Sequence, residues 1–360
     1  MMRRKLKEEL QARGEHFCRS VADVFECDAL YSTRAMTVIR GRPLVTVEVL
    51  EEIANARLNP EGFRVRCEGV EDRYTLSFFS AKTAARFPWL NLALFIATVA
   101  SVVFTAALNT AGEALLADWS LLWRGVPFAF WLLTILLLHE LGHYTFSRLR
   151  GVDVSLPYFI PAPFFFILGT LGAVIKSRSP IKNRKDLLDV AAAGPIAGFL
   201  VAVPAIIIGL ARSEMVPTTG ITGYYLGDSL LFSLLSRLVN GPIPEGMDIV
   251  LHPIAFAGWV GLLVTMLNLL PVGSLDGGHI AYALFGRRQR MLGYTTIAVL
   301  LALSFSWPGW LIWGAITLIM GPAHPPTLFD EVPVGKWRRA IGYLCFAIFI
   351  LCFIPVPFRG

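Results

Sequence analysis

The sequence predicts a polytopic all-α membrane protein of about six to seven transmembrane helices, with a re-entrant β-like segment and a small N-terminal α/β soluble domain. Three observations lead there. Of the 360 residues 55% are hydrophobic and only 16% charged, and the mean hydropathy of +0.60 exceeds that of an ordinary soluble domain. Long apolar stretches recur from position 88 onward, each near the roughly 20 residues that a helix needs to cross hydrocarbon. Before that position charged and apolar residues are evenly mixed.

Residues 1–87 therefore read as a cytosolic soluble α/β domain, with a helical start and strand-like runs at Arg42–Leu50 and Asp72–Ser80. The opening MMRRKLKEELQARGE lacks an apolar core and carries acids, so it reads as neither a signal nor a transit peptide. Residues 88–360 read as the membrane-embedded domain, its core at 126–286. Expected spans are Trp89–Leu108, Val126–Ser147, Leu188–Ala211, Ile249–Leu270, Met291–Ser306, Gly309–Gly321 and Ala340–Pro355. The fifth and sixth are short and separated by Trp307-Pro308.

Orientation follows from lysine and arginine, which concentrate on the inner side of a membrane. With the N-terminal domain inside, only Arg124, Arg212, Arg237 and Arg359 of the 32 basic residues lie outside. The net charge of +6 is thereby explained by topology, and nucleic acid is excluded as a partner. Five cysteines without a C-x-x-C pair suggest reduced thiols, not a disulfide framework or a cysteine metal site. The expected setting is a multi-pass protein of a prokaryotic cell membrane. Oligomeric state stays open.

Two segments do not fit plain spans. Leu156–Ile175 is apolar but carries Pro157, Pro161, Pro163, Gly169 and Gly172, and basic residues of the same side flank it. A re-entrant hairpin against a protein cavity satisfies such backbone. Leu226–Asn240 reads as a surface helix on the outer side.

Chemistry concentrates at "LLLHELGHYTFSRLR", Leu136–Arg150. His139 and His143 are four apart, so on a helix they share a face and can hold one metal ion, with Glu140 beside them. The plain alternative is a cluster at a helix end reaching for the interface. A catalytic metal needs a third ligand at the same depth. "NLLPVGSLDGGH", Asn268–His279, offers Asp276 just past a break at Pro271 and Gly273. The charge-derived topology brings both motifs to inner ends of helices running the same way. The alternative for Asp276 is a turn residue feeding Gly277 and Gly278.

His139-Glu140-Leu141-Gly142-His143 followed by Asn268-x-x-Pro271-x-x-x-Leu275-Asp276-Gly277 resembles the paired signature of the site-2 protease family of intramembrane metalloproteases. Gly169-Thr170-Leu171-Gly172-Ala173 and "DVAAAGPIAG", Asp189–Gly198, resemble its archaeal, bacterial and chloroplast branch, with no PDZ-like insertion or CBS pair apparent. The resemblance implies Zn²⁺ held by His139, His143 and Asp276, with Glu140 as general base and acid. It also implies that the partners are transmembrane protein substrates in a lipid bilayer, commonly membrane-tethered regulators.

Asn268 is expected near the site, its amide holding a substrate carbonyl or oxyanion, with interhelical hydrogen bonding as the alternative. The edge formed by Gly169, Thr170, Leu171 and Gly172 is expected to pair with an extended substrate, against a plain interface anchor. Gly194 and Gly198 read as a close-packing face. His279 reads as a spare ligand, a proton shuttle or a solvent contact. His16, His252 and His324 lack partners at ligand spacing and read as structural. The rival function is a zinc or proton-coupled transporter, because buried His, Glu and Asp also mark ion paths. An inactive binding scaffold is a third.

Overall fold

Alternating apolar residues such as Val65 and Cys67, or Leu76 and Phe78, give the N-terminal strands one greasy face. In a computed structural model of the chain, which describes residues 2–32, 36–70, 73–80, 88–163, 167–178, 181–219, 225–327 and 329–359, that face builds the first of two units. The units are Met1–Pro88 and Trp89–Gly360. Phe87, the expected boundary, lies outside the described residues.

The first unit runs α1 (Met2–Ser20), β1 (Phe25–Ser32), β2 (Met36–Pro43), α2 (Val47–Leu58), β3 (Phe63–Val70) and β4 (Arg73–Ser80). Its strands form one antiparallel sheet in the order β1-β2-β4-β3. Phe17 of α1 stacks on Phe78 with ring centroids 4.6 Å apart, and Leu50, Ala54 and Leu58 of α2 close the core. The strand expected over Arg42–Leu50 is corrected: the ladder stops at Pro43, which has no N–H to donate. From Val47 the chain is helical, because Leu50, Ala54 and Leu58 recur every four residues and bury together.

The second unit contains α3 (Trp89–Ala111), the short α4 (Ala114–Ala117), a 3-10 stretch Trp119–Gly125, α5 (Val126–Leu149), β5 (Tyr158–Pro161), β6 (Thr170–Val174) and α6 (Arg184–Leu210). Then follow β7 (Glu214–Pro217), β8 (Tyr225–Leu226), α7 (Leu230–Asn240), β9 (Met247–Val250), α8 (Pro253–Asn268) and α9 (Asp276–Phe285). A 3-10 turn, α10 (Gln289–Leu303), α11 (Gly309–Met320), α12 (Lys336–Cys352) and β10 (Phe358–Arg359) complete it. β7 pairs with β9 and β8 with β10.

Among the described residues three helical stretches are long and apolar enough to cross a membrane: Trp89–Ala111, Trp119–Leu149 and Arg184–Leu210. The other four expected spans correspond to α8, α10, α11 and α12, of 16, 15, 12 and 17 residues. All four fall short of the roughly 20 residues of a perpendicular crossing. α8 is cut short before Pro271 and Gly273, and Trp307-Pro308 separates α10 from α11.

α6 packs against α5, α8 and α9. Small residues permit that closeness. A Cβ on Gly142 of α5 would stand 2.6 Å from the Ala193 carbonyl oxygen, and one on Gly258 of α8 would stand 2.6 Å from Ile206. α5 ends at Leu149, and Gly151, with φ +69°, takes the left-handed position that releases the chain. Asn183 caps α6 by accepting from the Asp186 N–H at 2.8 Å.

Leu156–Ile175 forms the hairpin β5–β6, with residues 164–166 outside the description. It lies along α3. Asn91 donates to the carbonyls of Leu156 and Pro157 at 3.0 and 2.8 Å, Ser101 to Gly169 at 2.6 Å, and Asn109 to Ile167 at 2.9 Å. Asn91 and Asn109 are separated by about 27 Å of helix, so the hairpin follows most of the length of α3. Gly169 and Gly172 hold φ of +73° and +95°, accessible to glycine at little strain. The segment expected as a surface helix forms α7, capped by Ser229, with Leu230, Leu234 and Leu238 exposed.

Candidate metal centre

The four-residue spacing of His139 and His143 on α5 stacks their rings on one face, centroids 4.9 Å apart. Both are buried, as is Glu140. Asn268 ends α8, and the loop through Pro271 and Gly273 turns the chain so that Asp276 opens α9. This brings Asp276 to the histidines across 133 positions of sequence.

The three groups converge through single atoms. His143 Nε2 stands 3.1 Å from His139 Nε2 and 3.2 Å from Asp276 Oδ2, and His139 Nε2 stands 3.3 Å from that same oxygen. A carbonyl can only accept, so the 2.8 Å contact between His143 Nδ1 and the Val190 oxygen makes Nδ1 the donor. In the neutral ring Nε2 then presents a lone pair. Two imidazole nitrogens and a carboxylate oxygen crowd one point with lone pairs inward, an arrangement that calls for a cation. The edge of a tetrahedron with metal bonds of ~2.0–2.1 Å is about 3.3–3.4 Å, close to all three separations. The residues present fit a metal with one position left open.

Small residues of α6 make the room. A Cβ on Gly194 would overlap the His143 ring, and one on Gly198 would come to 3.2 Å from His139 Nδ1. The expected small-residue face thus lies directly behind both imidazoles. Asn268 Nδ2 stands 3.4 Å from His139 Nε2, and the Ile175 N–H, one residue past β6, lies beside the Glu140 carboxylate. On β6, Thr170 is buried, Leu171 is 64% exposed, and Gly172 donates to the Thr170 hydroxyl at 3.0 Å. Gly169 is tied to α3 through its carbonyl.

Residues 127–306, half of the chain, match peptidase family M50. The chain belongs to that family. It is 34% identical over 241 residues to "Probable zinc metalloprotease EGY1, chloroplastic" of Arabidopsis thaliana, which is 64% of this chain and 43% of the relative. It is 32% identical over 247 residues to "Probable zinc metalloprotease EGY2, chloroplastic" of the same plant, 66% and 43% of the two. "Probable zinc metallopeptidase EGY3, chloroplastic" is 27% identical over 301 residues, 75% of this chain and 50% of the relative. The chain spans half or less of the length of these relatives. No solved structure matches. These relatives carry peptidase names, which leaves the transporter reading without support. Their chloroplast names run against the expected prokaryotic cell membrane, while the membrane class stands.

Several contributors escape a reading by motif. Val190 acts through its backbone carbonyl, which no residue pattern announces. His324 packs edge-on against His279, centroids 4.7 Å apart, although nothing in its local spacing shows it. His279 is not among the three converging ligands. His252 caps α8 by accepting from the Ile254 N–H.

Proposed function

We propose that this chain is an intramembrane zinc metalloprotease hydrolysing peptide bonds within or near transmembrane segments of membrane-tethered proteins. The observation that carries the proposal is the convergence of His139, His143 and Asp276 with Glu140 adjacent. Bound there, zinc would supply Lewis acidity to a water and a peptide carbonyl at the open position. Glu140 takes the proton of the attacking water and returns it to the departing amine. The Ile175 N–H lies beside its carboxylate. Asn268, its amide nitrogen beside His139, steadies the carbonyl oxygen as charge develops. Val190 fixes the tautomer of His143.

A helical substrate hides its peptide bonds, so it must be drawn out before cleavage. The edge at Gly169, Thr170, Leu171 and Gly172 receives it, and the strand leads through Ile175 to Glu140. Residues 1–87 form a cytosolic domain and 88–360 the membrane protease domain, core 126–286. The shorter helices α8, α10, α11 and α12 complete six to seven crossings, tilted or locally thinning the bilayer. The inner side is the one that carries most of the basic residues.

Purified protein assayed against a model transmembrane substrate tests this. Glu140→Gln is expected to keep its zinc and lose cleavage by at least about a hundredfold. Undiminished cleavage contradicts the proposal, as does zinc flux into liposomes without proteolysis.

A further inference from the structure

A cavity of about 800 Å³ opens at the opposite ends of the helices that carry the metal centre. Its walls include Phe128 of α5, Phe232 of α7 and Phe256 of α8, with Ile167 from the β5–β6 connection. Asn109, Arg124, Asp228 and Asp248 add polar and charged groups to its lining. That size and lining, apolar with a few convergent polar groups, suit an organic side chain group or ligand. Neither the motifs nor the proposed chemistry uses it.

Two rulers place it relative to the triad. Along α5, Phe128 precedes His143 by about 22 Å, and along α8, Phe256 precedes Asn268 by about 18 Å. The hairpin connects the two places. Ile167 lines the cavity, and Ile175, at most about 26 Å of extended chain further on, lies beside Glu140. Asn109, itself a lining residue, holds the Ile167 carbonyl at 2.9 Å, so the cavity wall and the strand edge are one tied piece.

We infer that this cavity is an exosite for the same transmembrane substrate, seating a large apolar or aromatic side chain about six to eight residues from the scissile bond. The inference rests on the proposed proteolysis. An extended segment paired along β6 with its scissile bond at Glu140 carries such a residue to Ile167. The aromatic walls then bury it, and packing against them, with removal from water of the apolar surface that unwinding exposes, holds the segment in register. Recognition therefore has two parts, an edge that accepts any backbone and a remote cavity that selects a side chain.

The test is a cycle on intact protein with a transmembrane substrate carrying phenylalanine at that distance. Ser236→Trp, which fills the cavity, is expected to raise KM about tenfold, with kcat changing less. Replacing the substrate phenylalanine by glycine is expected to raise the wild-type KM similarly, and the two changes together to do no more than one. Ile243→Trp, on an exposed loop at the cavity, repeats the test where Ser236→Trp misfolds. Effects that multiply, or an unchanged KM, overturn the inference and leave the proteolysis standing. A photo-crosslinker at the same substrate position, in Glu140→Gln protein, is expected to label residues 232–243 without turnover. Labelling elsewhere, or a phospholipid retained in the cavity at saturating substrate, also overturns it. Cross-linking at the cavity by a wild-type protein that cleaves nothing would overturn the proposed proteolysis alone.

Discussion

At the residue scale, the two imidazoles depend on what is missing behind them. Gly194 leaves the volume in which the His143 ring lies, so Gly194→Ala must displace either the ring or α6. We expect it to lower metal affinity at least ~10-fold, within the range for residues that orient ligands. Gly198→Ala, facing a 3.2 Å contact, is expected to cost less. Metal titration of the two variants checks the order, and equal affinities would contradict it. His139, Glu140, His143 and Asp276 were legible because ionisable groups in apolar runs are unusual and helix spacing fixes their direction. The carbonyl of Val190 was not, since every residue has one. In the N-terminal unit, hydrogen bonds from Arg57 hold Asp23 down to about 2. A depressed carboxylate contributes stability above its unfolded range, near 4, which is lost as pH falls towards 2. Hydrogen exchange of Phe25–Ser32 in wild type should therefore quicken over that window. In Asp23→Asn the step attributable to this pair should vanish.

At the element scale, α6 is anchored at its N-terminal end by charge. Buried Asp189 accepts from Arg150 at 2.6 Å and from Arg338 of α12 at 2.8 Å. Removing the carboxylate takes this partner from Arg338 and leaves Arg150 only the 3.8 Å contact with Asp186. Asp189→Ala is expected to destabilise by on the order of 1–3 kcal/mol, below the deeply buried case because both arginines stay about a third exposed. A melting curve in detergent checks it, and an unchanged midpoint would contradict it. The hairpin β5–β6 was foreseeable from prolines and glycines between two same-side basic segments. Its attachment to Asn91, Ser101 and Asn109 was not, because those hydrogen bonds reach carbonyls 58 to 68 positions away. The strand expected through Arg42–Leu50 failed where Pro43 ended one ladder and Val47 began a helix, two local signals inside one apolar run.

At the scale of the whole molecule, hydropathy identified a helical membrane protein, while the length of each helix was less legible. Among the described residues three stretches meet the length of a crossing, and the four other expected spans fall on shorter helices. Composition averages over such breaks, which Pro and Gly create one residue at a time. Convergence was more legible than length: two motifs expected at like ends of helices running the same way bring His139, His143 and Asp276 together, and the three meet. X-ray absorption of the purified protein, with and without Asp276→Ala, probes that convergence. The account predicts one zinc per chain with two imidazole nitrogens and a carboxylate oxygen at ~2.0–2.1 Å, and loss of the oxygen and of most of the metal in the variant. Zinc bound equally well after Asp276→Ala, or absent from the wild type, would contradict it.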